Sequence, residues 1–135
     1  MNHTIRFDTT RDIAYIHYLG EVQVDESAEL LREIVRHPDW NPRVSRVITY
    51  DDALLGGVDQ ATLNRIHPKL SEIISTAYQG APNYLAHVCS DPLKGAIIDY
   101  WVTSANGRYP ASLTRVNSVA EALAWIERKR SEETG

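Results

Sequence analysis

The chain has 135 residues, of which 43% are hydrophobic and 24% charged, with a formal net charge of −4. This is the size and composition of one globular domain spanning residues 1–135, and it excludes a disordered chain, which is poorer in apolar residues or more strongly charged. A lone cysteine, Cys89, excludes a disulfide scaffold, and no apolar run reaches the roughly 18 residues of a membrane span.

Taken in chain order, Ile5 and Phe7 alternate with Arg6 and Asp8 as in a half-buried strand, and Thr9-Thr10-Arg11-Asp12 is a turn. Ile13 to Val24 reads as a longer strand with Gly20 as a bulge or end, so the two strands form an N-terminal hairpin. Asp25 is the expected N-cap of a first helix, whose apolar positions Ala28, Leu31 and Val35, with Leu30 and Ile34 beside them, recur at helical spacing. That helix is expected to stop at His37-Pro38, because a residue before proline resists helical conformation.

Val44 to Tyr50 is strand-like and ends in Asp51-Asp52, and Ala53 to Val58, with Gly56-Gly57, is expected to be a mobile loop. Asp59 caps a second helix through Leu63, Ile66, Leu70, Ile73, Ile74 and Ala77, with Pro68 expected to kink or split it. Tyr84 to Cys89 is nearly continuously apolar, as in a central strand covered on both faces. Ser90-Asp91-Pro92 opens a third helix that runs to about Ala105 and is closed by Asn106-Gly107. Ser112 to Val116 is a last strand, and Ser118 with Glu121 forms a capping box for a final helix carrying Ala122, Leu123, Trp125 and Ile126. Its end, Ser131 to Gly135, is expected to fray, and Arg128-Lys129-Arg130 reads as a solvated helix end. The order β-β-α-β-α-β-α-β-α predicts a single-domain α/β fold, a mixed sheet of about five strands with four helices packed on it.

This pattern resembles the STAS domain, and within it the SpoIIAA-like branch, also described as STAS/SEC14-like. The hairpin over residues 5–24, the strand over 44–52 ending in acidic residues, the strand and helix over 84–105, and the closing segment from Leu113 to Ile126 with its Glu-Ala-Leu-Ala-Trp-Ile ending carry the likeness. The resemblance covers nearly the whole chain and implies a regulatory or protein-interaction module. The best-known members are anti-sigma factor antagonists with a phosphorylatable serine at the start of the helix after the third strand. The matching stretch here, Leu55-Gly56-Gly57-Val58-Asp59, has no hydroxyl residue, and Thr62 is the nearest one. Other relatives resemble lipid carriers of the SEC14 type, which implies an apolar ligand.

Candidate chemistry gathers where strands should end, because ligands of open α/β sheets collect at carboxyl ends of strands. Asp51, Asp52, Gly56, Gly57, Ser90, Asp91 and Lys94 would form a small polar cleft there, and the plainer reading is loop carboxylates and a helix cap. Asp51 and Asp52 should point to opposite faces, which disfavours an acid–base pair. His87 and Cys89 lie on one strand face without a paired ligand motif or an orienting third group, so a metal site or nucleophile is weaker than a core strand with a buried thiol.

The helix over 92–105 carries Leu93, Ala96, Ile97, Ile98, Tyr100, Trp101 and Val102 nearly all round. A helix of that kind needs cover on each side, from the neighbouring helix, an apolar ligand or a second subunit. Ile97, Tyr100 and Trp101 are the expected contacts, with Tyr100 and Trp101 as surface anchors. The sequence contains no GxGxxG, Walker, GxSxG or HExxH motif. The expected function is therefore a non-enzymatic, cytoplasmic regulatory or protein-interaction module with a protein partner or homodimer and no cofactor. No nucleic acid is expected, since the only basic run is flanked by Glu127, Glu132 and Glu133. The alternative is a carrier or sensor of a small apolar or lipid-like ligand between the helices over 59–78 and 92–105. A weaker one is a small hydrolase using Asp51 and Asp91.

Overall fold

The computed structural model describes residues 2–134. Strands β1 (Asn2–Asp8) and β2 (Ile13–Gln23) pair antiparallel as the expected hairpin, with Asp8 Oδ1 accepting from the turn N–H groups of Thr10 and Arg11 at 3.1 Å. Strands β3 (Ser45–Thr49), β5 (Tyr84–Val88) and β6 (Ser112–Val116) add in parallel, giving the order β1-β2-β3-β5-β6. A sixth strand, β4 (Ala53–Gly56), stands where a mobile loop was expected. Its partner explains it: β2 pairs with β3 over Ile13–His17 and then with β4 over Gly20–Gln23. Gly20, at φ +66°, takes the backbone conformation needed where β2 changes partners, and Gly57, at φ +74°, turns the chain out of β4.

Side-chain alternation along the strands sorts two buried faces. Ala14, Ile16, Tyr18, Ile48, Tyr50, Leu85 and Cys89 pack in one cluster with Leu30 and Ile34 of α1 (Ser27–Val35) and Ile98 of α3 (Pro92–Ala105). Outside them α2 (Gln60–Tyr78) sets Leu63, Ile66, Leu70 and Ile74 against Leu31, Trp101 and Tyr109. On the opposite face Ile13, Val47, Tyr84, Ala86 and Val88 are covered by Ala122 and Ile126 of α4 (Val119–Thr134). The parallel centre is thus covered on both sides, as such sheets require.

The helix starts follow the caps with one shift. Asp59 Oδ1 accepts from Thr62 N–H at 2.8 Å, Asp91 Oδ1 accepts from Lys94 N–H at 2.9 Å with Pro92 in the first turn, and Ser118 Oγ accepts from Glu121 N–H at 3.2 Å. At α1, however, Val24–Glu26 form a 3-10 turn, so Asp25 lies inside that turn and Glu26 holds the cap position. The same helix ends at Val35, before the expected His37.

The break expected at Pro68 does not occur, because α2 is a single helix from Gln60 to Tyr78. Pro68 and Asn64, the residue whose carbonyl loses its N–H partner, are both exposed, so the missing bond falls on the solvated side. Ser131–Thr134, where the end was expected to fray, continue α4, and Gly135 lies outside the described residues. Arg130 is not a solvated helix end either: it donates to the carbonyls of Arg11, Asp12 and Arg43 and to Ser45 Oγ, and Tyr84 Oη donates to Glu133 at 2.5 Å.

Because Pro68 withholds a backbone donor inside a continuous helix, Pro68→Ala should restore the bond and stabilise the fold by about 1–3 kcal/mol. Urea unfolding of the variant measures this, and a lowered midpoint would show that the ring itself is needed.

Candidate functional site

The carboxyl ends of β3 and β5 lie side by side, and the residues leaving them meet as expected. Asp51 Oδ1 accepts from both Ser90 N–H and Ser90 Oγ–H at 2.9 Å, and Lys94 Nζ donates to the Asp51 carbonyl at 2.9 Å. Partial burial pushes the Asp51 carboxyl up, but the hydrogen bonds from Ser90 and Asp91 and the Lys94 charge outweigh it and lower its pKa. Asp52 turns away, as alternation requires, and pairs with His17 Nε2 at 2.9 Å. Gly56 and Gly57 lie against Gln23 and Val24 at the end of β2. The structure therefore brings together Asp51, Ser90, Asp91 and Lys94, bonded to one another across the β3–α3 junction.

Along α3 the apolar residues divide. Leu93 (76% exposed) and Tyr100 (44%) face outward with the half-buried Ile97, and Tyr100 Oη donates to Gln60 Oε1 at 2.9 Å. Trp101 is not a surface anchor. It lies one helical step beyond Tyr100, which turns it into the α2–sheet interface, where it is 6% exposed with its ring 5.5 Å from that of His87.

The interior beneath α3 holds what the spacing of motifs did not reveal. A cavity of about 40 Å³ lies between the sheet and the helices α1, α2 and α3. Leu30, Leu31 and Ile34 of α1, Leu70 and Ile74 of α2, and Leu85 of β5 give it apolar walls, and Arg46, His87 and Trp101 also line it. Arg46 is 4% exposed and, among the described residues, makes no ion pair. It stands in β3 beside Ala14 of β2 and Leu85 of β5, with its guanidinium carbon 5.9 Å from the centre of the Tyr78 ring. Its Nε and Nη2 have no protein hydrogen-bond partner.

His87, 1% exposed, lies with Nδ1 2.7 Å from the Tyr50 hydroxyl. Burial, helped by the Arg46 charge, pushes its pKa down to about 3, so the ring is neutral. Burial also raises the Tyr50 pKa well above its usual value, so the hydroxyl keeps its proton. The other ring nitrogen of His87, Nε2, has no protein hydrogen-bond partner. Trp101 Nε1 is likewise unpartnered; the Tyr109 hydroxyl is near enough to feel the indole, but not in hydrogen-bonding geometry. Cys89 is buried, and burial raises its thiol pKa, which disfavours the thiolate a nucleophile needs. Among the described residues, no group of three His, Cys, Asp or Glu could hold a metal ion.

Arg46 is the residue that motif reading passed over. The available signal was a charge in the middle of Val44–Tyr50, since a strand paired in parallel on both sides is normally apolar throughout.

No family model matches the sequence, and no curated protein does. Among solved structures the chain is similar to the anti-sigma factor antagonist SpoIIAA in its unphosphorylated form, with a TM-score of 0.48 and 10% identity over 96% of this chain and 98% of that one. That structure bears the name of the branch the sequence resembles. No helix of the described residues is long and apolar enough to cross a membrane.

His87 gives the interior a pH signature. In the unfolded chain it protonates below its ordinary value near 6.5, while the folded ring stays neutral down to about 3, so stability falls as pH drops through that window. Between pH 7 and pH 5 the His87→Gln variant should lose about 2 kcal/mol less stability than wild type. Denaturant unfolding at both pH values checks this, and parallel losses in the two proteins would show that His87 is not the depressed group.

Proposed function

We propose that the chain is a non-enzymatic binding module that holds a small molecule inside the domain, between the sheet and the helices α1, α2 and α3. The observation that carries the reading is the cavity of about 40 Å³ with a mainly apolar wall. Packed interiors have few voids larger than a water molecule. The site differs from the one expected between α2 and α3 alone: α1 and the sheet supply most of its wall, and α3 contributes Trp101. Regulation fits this placement, because α3 presents Trp101 to the cavity and Leu93, Ile97 and Tyr100 outward.

Xenon is a suitable neutral probe, since it enters apolar cavities. Under xenon pressure the methyl resonances of Leu31, Ile34 and Ile74 should shift, and Leu31→Phe, which fills the space, should abolish the response. Unchanged methyl resonances in wild type would refute an accessible interior.

A second reading, a protein contact on the outer face of α3, is favoured by Leu93, Ile97 and Tyr100, which share that face at helical spacing. A second copy of the chain is its simplest occupant. Sedimentation velocity should then show a dimer that Leu93→Glu with Tyr100→Glu turns into monomer, and a monomer at every wild-type concentration would exclude that dimer. Trp101→Ala is unsuitable for this test, because emptying a buried tryptophan site should cost about 3–5 kcal/mol.

A further inference from the structure

We propose that the free edge of β6 docks an extended peptide segment of a partner protein, which joins the sheet as a further strand, antiparallel to β6, in the cleft between α3 and α4. This surface is separate from the interior cavity and from the outward face of α3.

The backbone of β6 sets the pattern. It is the last strand in the order β1-β2-β3-β5-β6 and pairs in parallel with β5. In such a ladder alternate residues turn both backbone groups to the same neighbour. Ser112 N–H donates to the Asn83 carbonyl and the Val116 carbonyl accepts from Cys89 N–H, each at 3.0 Å, so Ser112, Thr114 and Val116 face β5. Leu113 and Arg115 therefore turn their N–H and C=O groups outward, where among the described residues no further strand lies. Sheet edges are usually blunted by charge, proline or cover. The opposite edge, β1, carries Arg6 and Asp8. The one charge on β6, Arg115, is drawn back over the sheet, donating to Asp99 at 2.8 and 3.2 Å and to the Cys89 carbonyl at 3.4 Å. Ser112 is exposed and Leu113 and Thr114 are half-buried, so the edge is open to a partner.

Two helices make this edge the floor of a cleft of about 470 Å³. Residues 111–114 form the floor, Val102 and Thr103 of α3 one wall, and Trp125 and Lys129 of α4 the other. Clefts of roughly 300–1,000 Å³ are the size that receives ligands. The recess selects the occupant. A second copy's β6 lies between its own α3 and α4, so two such edges cannot meet without their helices colliding. A lone extended segment has no flanking helices, and its backbone supplies the alternating donors and acceptors that the edge needs. Antiparallel pairing is the more stable of the two directions. Segment residues opposite Leu113 and Arg115 then lie on the α3 side, where Val102 and Leu113 favour apolar side chains. The residue between them lies on the α4 side, where Lys129 favours an acid. The ion pair that Lys129 makes with Glu132, at 3.7 Å on the surface, is weak competition.

The probe is the capped pentapeptide Thr-Val-Glu-Val-Thr, which presents the same side chains in both strand directions, added to the isotope-labelled wild-type chain. At millimolar concentration it should slow hydrogen exchange at the Leu113 and Arg115 amides and leave Thr114, already facing β5, unchanged. N-methylation of both valines, whose N–H groups face β6, should weaken binding about tenfold. N-methylation of the glutamate, whose N–H faces solvent, should change it by less than about twofold. Replacing the peptide's glutamate by lysine should weaken binding about threefold, and Lys129→Glu in the chain should reverse that preference. Equal losses from the two kinds of N-methylation would overturn the antiparallel pairing. Resonance shifts confined to residues outside the cleft, or none at all, would overturn the proposal outright. A dimer in sedimentation velocity that the peptide dissolves would give the edge to a second copy and overturn the peptide assignment. The decisive measurements use the wild-type chain, so they stand even where Lys129→Glu fails to fold.

Discussion

Arg46 is buried at the centre of this domain and, among the described residues, makes no ion pair, and the groups around it answer to that. Arg46 stands on β3, a strand paired in parallel on both sides, on the face that receives α1, α2 and α3. Its strand neighbours are Ala14 and Leu85. Tyrosines surround it rather than acids: Tyr50, Tyr78 and Tyr109 all have pKa values raised by burial and pulled back by its charge. The same charge helps to keep His87 neutral, which fixes that ring between the Tyr50 hydroxyl and the cavity. Replacing such a buried charge by an apolar side chain of similar volume is often neutral or stabilising, so Arg46 is not explained by stability.

The architecture makes the charge tolerable. Both faces of the parallel centre are covered, with α4 on one side and the other helices on the opposite side. The α4 face is packed with apolar side chains, and Arg130 ties the end of α4 to the hairpin turn and the start of β3. The other face carries Tyr18, Arg46, Tyr50 and His87, and it is there that packing leaves a cavity. Helix α3 stands between that interior and solvent. Its inner side bears Ile98 and Trp101 and its outer side Leu93 and Tyr100.

Much of the fold was legible because it is written in local signals. The hairpin, the caps at Asp59, Asp91 and Ser118 and the buried strand Tyr84–Val88 follow from alternation, capping residues and turn residues close together in sequence. Strand β4 was not legible, since Ala53–Gly56 becomes a strand only through the edge of β2 some thirty residues away. Pro68 misled because its effect depends on which side of α2 faces solvent. At the junction of β3 and α3, the meeting of Asp51 with Ser90 could be read from the strand ends, whereas Gly56 and Gly57 were drawn off by β4. Trp101 and Tyr100 are adjacent, and only the rotation of α3 on the sheet decides which one is buried. The cavity itself was illegible, because Arg46, His87 and Trp101 are far apart in sequence and meet only in the folded core.

The most direct test is a high-resolution crystal structure of the chain under xenon pressure. Xenon is expected in the interior cavity, against Leu31, Ile34 and Ile74. A structure in which no xenon enters beneath α1, α2 and α3 would contradict the account.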